Sequence, residues 1–166
     1  MGRLVLEPAS TVNRQRRVTL KPGLALIDAY LDVSHEARLN RYQLYDENGA
    51  ASLWFTDRGR PITVRGRDNL RKHNELSIQV LPDWRWGDVE IHLDDKRRTA
   101  WVECTGEGTI QFPGYPWGHY RNSFVHRFEF GDGLIVSTRE YTNPLEHMRA
   151  LRIATPQIRR DWIPEA

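Results

Sequence analysis

Glu140, His73 and Ser77 are the side chains best suited to proton transfer in this 166-residue chain. Glu140 closes the run 134–141, in which strand alternation puts Leu134, Val136, Thr138 and Glu140 on one side. A carboxylate ending an apolar row is costly to ionise, so its pKa is expected to rise toward neutrality, where it can both take and give a proton. An equally open reading makes it an exposed strand end paired with Arg139 or Arg152. His73 and Ser77 fall one turn apart on the inward face of a helix. A hydroxyl so placed lacks the nucleophile elbow of serine hydrolases, which favours His73 as a proton donor with Ser77 as a hydrogen-bonding partner. The competing structural reading of His73 is a core histidine satisfied by a backbone carbonyl.

His126 shares a strand face with Tyr120, Asn122, Phe124, Phe128 and Phe130, and we read it as a satisfied core histidine. His35, His92, His119 and His147 show no metal-ligand spacing, and Cys104 has no Cys or His neighbour at such spacing, so no metal is expected. Cys104 reads as a buried apolar thiol. The chain has neither a P-loop nor a GxGxxG sequence, and no cofactor is expected. Net charge is +2, with short basic clusters at Arg14–Arg17, Lys96–Arg98 and Arg159–Arg160 but no continuous stripe, so nucleic acid is not an expected partner. No transmembrane run and no apolar signal segment is seen, and the expected compartment is the cytoplasm.

The elements that must position these residues are helices first and strands later. Residues 1–13 read as a tail, and 14–166 as one domain. A helix is expected from about Lys21 to Asp32 and a second over 36–45, ending before the turn dipeptide Asn48-Gly49. Short extended pieces follow at 51–56 and 61–65. The pattern after Gly66 predicts a helix to about Leu81, stopped by Pro82, whose Leu70, His73, Ser77, Val80 and Leu81 face one way. Strands are predicted over 84–93, over 98–112 with a bend or bulge at Gly106 and Gly108, and either side of the turn Gly131-Asp132-Gly133. The loop 112–118, rich in Pro, Gly and aromatics, reads either as a plug for one end or as a wall for a flat cyclic ligand. A short helix is expected from Pro144. The sum is an α+β roll with helix and sheet forming a cone.

Arg65-Gly66-Arg67-Asp68 followed by His73 and Ser77, Pro82-Asp83-Trp84 with Trp86, Trp101-Val102-Glu103-Cys104, Phe112-Pro113-Gly114-Tyr115-Pro116, Arg139-Glu140, Arg149-Ala150-Leu151 and Pro156-Gln157-Ile158 occur in the order and spacing of a known family. The chain resembles the phenazine biosynthesis proteins A and B, relatives of ketosteroid isomerase and SnoaL-type cyclases. That resemblance implies an NTF2-like α+β roll that dimerises, either with itself or with a paralogue, each protomer holding a deep pocket. It implies assisted head-to-tail condensation of two 6-amino-5-oxocyclohex-2-ene-1-carboxylate molecules by double imine formation. In the family a Glu and a His carry the acid/base chemistry in the competent copy, and here Glu140 and His73 fill both positions. Ser77 and Tyr120 are then expected to hold the reacting groups with His73, and Arg41 to meet a substrate carboxylate. Two departures stand out: an N-terminal tail unlike the family pattern, and Trp117 and His119 after Tyr115-Pro116. The rival readings are another cyclase or isomerase of the same fold, and a non-catalytic ligand-holding subunit.

Overall fold

The computed structural model describes residues 22–161 and Pro164, so the expected tail over 1–13 lies outside the described residues. Helix α1, Pro22–Leu31, opens on a proline, whose missing N–H is no loss in a first turn. Helix α2, His35–Asn40, is capped by Ser34, whose Oγ accepts from the Ala37 N–H at 3.3 Å. It tightens into a 3-10 turn, Arg41–Leu44, rather than continuing as one helix to residue 45. Strands β1, Tyr45–Leu53, and β2, Ile62–Arg65, form a hairpin. Gly66, at φ +82, then turns the chain into α3, Arg67–Val80, in a backbone conformation that favours glycine. Four long strands complete the chain's sheet: β3, Arg85–Asp94; β4, Thr99–Ile110; β5, Gly118–Gly131; and β6, Leu134–Thr142. Helix α4, Pro144–Ala150, follows.

The curved six-stranded sheet has the order β2-β1-β6-β5-β4-β3. Strand β1 runs parallel to β6, and the other neighbouring pairs are antiparallel. Ile27 and Tyr30 from α1 and Leu70 and Val80 from α3 are buried in one cluster with Ala100, Val102, Phe124, Phe128 and Ile135 from the strands. The helices therefore cover one face of the sheet, which makes the expected α+β roll.

Three local expectations are corrected. Asn48-Gly49 does not end a helix but sits inside β1, where the register to β6 shifts between Tyr45 and Ala50. The turn chemistry is present, since the Asn48 N–H donates to Asp46 Oδ1 at 2.9 Å, and it makes a bulge in a strand. On β4 the register to β5 is continuous from Thr99 to Ile110, so Gly106 and Gly108 make no bulge. Gly106 is required because a Cβ there would lie 2.2 Å from Trp84 Cζ2 and 2.9 Å from rings of both Phe124 and Trp86. On β6, a bulge opposite Glu129 and Phe130 inserts Val136, which shifts the face of everything before it. Ile135 is wholly buried and Val136 is 42 % exposed, so the inward row is Ile135, Thr138, Glu140 and Thr142, not Leu134 and Val136.

Candidate active site

A cavity of about 260 Å³ opens between α3 and the inner face of the sheet, just below the usual range for ligand sites. Each nearby element supplies part of its wall for a local reason. The period of α3 aims His73 and Ser77 inward together with Val80 and Leu81. The alternation of β5 and β6 brings in Tyr120, Phe124, Glu140 and Thr142. Arg38 from α2 and Arg41 from the 3-10 turn stand three residues apart, hence on one side of that segment, and both reach the cavity. Trp84, Trp86, Phe112 and His147 complete an aromatic lining.

Glu140 is the carboxylate of this lining. Neither of its expected surface partners holds it: Arg139 projects to the opposite face, its guanidinium 4.8 Å over the Trp54 ring. Its nearest chargeable neighbour across the sheet is His126, with Nδ1 3.6 Å from Oε2. Burial raises the Glu140 pKa to about 7, and the charge of Arg41 opposes that rise without cancelling it. About a third of the Glu140 side chain remains exposed, on the side that lines the cavity, so water there softens the desolvation while protein surrounds the rest.

Burial acts on the other groups in the same way. It lowers the pKa of His73, and Arg41 adds to that effect, so His73 is neutral near pH 7; the ring nevertheless stands at an accessible rim. Tyr30 is pushed up to about 12 by burial and stays a neutral phenol. Tyr120 is raised for the same first reason, and its hydroxyl accepts from Asn122 Nδ2 at 3.0 Å. The guanidinium of Arg41 lies 4.7 Å over the Tyr30 ring and Nη2 donates to the Asp32 carbonyl at 3.3 Å, while Nε is buried without a hydrogen-bond partner among the described residues. Arg38 is buried and donates from Nη2 to the Ser77 carbonyl at 3.2 Å. No carboxylate pairs with either arginine among the described residues, which leaves two guanidinium groups beside the cavity as receptors for an anion.

The five residues singled out from sequence, Glu140, His73, Ser77, Tyr120 and Arg41, thus line one cavity. Sequence reasoning missed Arg38, Thr142 and His147; for Arg38 the signal was its three-residue spacing from Arg41. His126 is core, as read, but not satisfied: it is 0 % exposed and neither ring nitrogen has a hydrogen-bond partner among the described residues. In the loop after β4, Phe112 alone contributes to the wall, and Tyr115 and Trp117 are exposed. Among the described residues, no group of three His, Cys, Asp or Glu side chains comes together to hold a metal, and no helix is long and apolar enough to cross a membrane. A second hollow, of about 370 Å³, lies beside Pro22 and the β5–β6 turn, away from all five residues.

The model of the family "Phenazine biosynthesis protein A/B" matches residues 10–165. Phenazine biosynthesis protein PhzB1 of Pseudomonas aeruginosa is 44 % identical over 140 residues, covering 84 % of this chain and 86 % of that one. The crystal structure of a phenazine biosynthesis-related protein, phzb2, from Pseudomonas aeruginosa superposes with a TM-score of 0.82 at 42 % identity, over 87 % of this chain and 94 % of that one. A SnoaL-like polyketide cyclase from Jannaschia sp. CCS1 superposes with a TM-score of 0.62 at 16 % identity, over 81 % of this chain and 94 % of that one, which shows a shared fold.

Proposed function

The chain belongs to the phenazine biosynthesis protein A/B family, and from that premise we propose that it is a condensing enzyme that joins two 6-amino-5-oxocyclohex-2-ene-1-carboxylate molecules head to tail. The amine of each molecule attacks the ketone carbon of the other, the carbinolamine loses water, and two such steps close the central ring with release of two waters. This chemistry moves protons and water only. It calls for a group that takes a proton from the attacking nitrogen and returns one to the departing hydroxyl, and such a group works best with a pKa near the working pH.

The observation that carries this reading is Glu140: a carboxyl raised to about 7 by burial, facing a small cavity beside two arginines that pair with no carboxylate among the described residues. In the proposed mechanism Glu140 is the proton shuttle. His73, neutral near pH 7, donates a hydrogen bond to the carbonyl or carbinolamine oxygen. Arg41 receives a substrate carboxylate, with Arg38 adding positive potential behind it. Ser77 and Tyr120 orient the ring substituents, and Trp84, Trp86 and Phe124 supply flat apolar walls. Orientation matters as much as proton transfer, because pairing two identical reactive molecules in one register is an entropic problem that a shaped cavity solves.

The test is tricycle formation from the amino ketone generated in situ, measured above a no-protein control. Wild type is expected to accelerate it, and Glu140→Gln to lose about 10²-fold or more while still binding a product-like tricyclic acid. His73→Leu is expected to lose a smaller share and to weaken that ligand. Near-wild-type acceleration by Glu140→Gln would reduce the protein to an orienting container.

A further inference from the structure

His126 has no place in the mechanism above, yet it is the polar side chain nearest Glu140 across the sheet. The antiparallel register of β5 and β6 makes the two direct cross-strand partners, with Phe124 opposite Thr142 and Phe128 opposite Thr138 on either side. The His126 ring is closed in by aromatics: Phe124 stacks on it with ring centroids 5.9 Å apart, and Trp86 and Tyr30 meet it edge-on at 5.3 Å and 5.9 Å. An imidazole in such a setting, with neither nitrogen hydrogen-bonded among the described residues, is a costly choice for a purely structural position, which Phe or Leu would fill at less expense.

We propose that His126 is a positioning residue for Glu140, its Nδ1–H donating to Oε2 of the ionised carboxylate so that Oε1 is the oxygen presented to the cavity. The functional consequence rests on the reading of Glu140 as the proton shuttle; the hydrogen bond itself does not. Oε2 stands 3.6 Å from Nδ1, a gap that a small side-chain rotation closes. The tautomer follows from the surroundings: with the proton on Nδ1 the one N–H meets a carboxylate, and Nε2 is left as a lone pair among rings, whereas the other tautomer strands an N–H there. Burial holds the His126 pKa down to about 3, and Arg41 adds to that effect, so the ring stays neutral and takes no catalytic proton itself.

The charged and titratable groups around the pair leave Glu140 as the group that changes state near neutrality. Tyr30 from α1, Tyr45 from β1 and Cys104 from β4 are all pushed up by burial and remain protonated. Arg41 supplies fixed positive charge, and His73 from α3 is already neutral. Donation from a neutral His126 favours the ionised carboxylate, so its removal should make Glu140 harder to ionise.

The experiment follows the side-chain carboxyl carbon of Glu140 by NMR against pH in glutamate-labelled protein, assigned by its loss in Glu140→Gln. His126→Phe keeps the shape and deletes the donor; its Glu140 midpoint is expected about one pH unit above wild type. His126→Asn, whose amide nitrogen can stand where Nδ1 stands, is expected to bring the midpoint back toward wild type. An unchanged or lowered midpoint in His126→Phe overturns the proposal, as does an Asn variant that behaves like Phe. Should His126→Phe fail to fold, the ring nitrogens of wild-type His126 decide the matter. A protonated Nδ1 whose shift follows the Glu140 titration supports the proposal, and an Nε2–H tautomer at pH values above that titration sinks it. These readouts do not depend on turnover. Failure of Glu140→Gln to lose activity would therefore remove the shuttle reading while leaving the hydrogen bond to be judged on its own.

Discussion

Glu140 and His126 face each other across β5 and β6, and one cause drives their proton affinities in opposite directions: burial lifts the carboxyl to about 7 and drops the imidazole to about 3. Both therefore stay neutral together over a window that neither would have in water. The consequence for stability has two limbs. As pH rises from the ordinary glutamate value of 4.5 toward 7, unfolded chains release the Glu140 proton before folded ones do, so the Glu140 contribution to stability falls, and above 7 that loss is complete. The His126 contribution runs the other way: as pH falls below the ordinary histidine value of 6.5, unfolded chains take up a proton that folded His126 refuses, and that contribution falls until about 3. The two therefore offset each other between 4.5 and 6.5, and each shows alone only outside that range. His73 and His147, both lowered first by burial, steepen that acid limb.

Glu140→Gln should accordingly flatten the alkaline limb. The full shift corresponds to about 3 kcal/mol, but a third of the side chain is exposed, so about 1–2 kcal/mol is the expected gain over wild type at pH 8. The difference should shrink toward zero near pH 4.5. Urea unfolding at the two pH values measures it, and a Gln variant no more stable than wild type at pH 8 would contradict a desolvated carboxyl.

Arg41 is expected to act on both ligand and catalyst. Arg41→Met removes a cation that makes no ion pair with a carboxylate among the described residues, so affinity for a product-like tricyclic acid should fall about 10- to 100-fold. Because the Arg41 charge holds Glu140 down against burial, the same variant should move the Glu140 midpoint upward. Calorimetric titration of the acid, with the decarboxylated tricycle as control, separates the two effects. Equal loss of affinity for both ligands would mean that Arg41 supports the wall and does not bind the carboxylate.

How much of the fold and the site is legible in the sequence depends on whether one element or two decide the matter. The inward faces of α3 and β5 follow from their own periods, and His73, Ser77, Phe124 and Phe128 fall where 3.6- and 2-residue repeats put them. The face of β6 does not, because the bulge at Val136 is fixed by pairing with Glu129 and Phe130 on another strand. The same bulge removes Ile135 from the outward set to which simple alternation assigns it, since the residue is wholly buried. His126 was placed correctly in the core, but its relation to Glu140 exists only once the register of β5 on β6 is known. The roles of Arg41 and Tyr120 come from the family resemblance, whereas Arg38 is marked in the sequence only by its three-residue spacing from Arg41.

Gly106 tests the packing behind the cavity. The glycine looked like a bend signal, but its role is to let Trp84 and Trp86 lie against β4. Gly106→Ala sets a methyl into the Trp84 indole and is expected to cost about 2–4 kcal/mol by overpacking. The displaced indoles should also alter tryptophan fluorescence. Gly133→Ala, where nothing lies within 4 Å but φ is +78, should cost only about 1 kcal/mol of backbone strain. Equal losses at the two sites would argue that Gly106 serves backbone freedom after all.

The outer face of the sheet is expected to join two copies of the chain. Trp101 stacks on Tyr141 with ring centroids 6.2 Å apart, Arg127 stands over Trp101, and Arg139 over Trp54. Trp101, Val136 and Trp54 are nonetheless well exposed, and Ser123, Val125 and Ser137 lie among them. Exposed aromatics interleaved with arginine and small polar residues resemble a subunit interface more than free surface. Light scattering at tens of micromolar should give about twice the 19.5 kDa chain mass. Trp101→Glu, placing a charge at the centre of the patch on a residue that contributes little to the core, should shift the mass toward one chain while circular dichroism stays native. A monomeric wild type at that concentration would refute the interface. A dimer unaffected by Trp101→Glu would move it to another face.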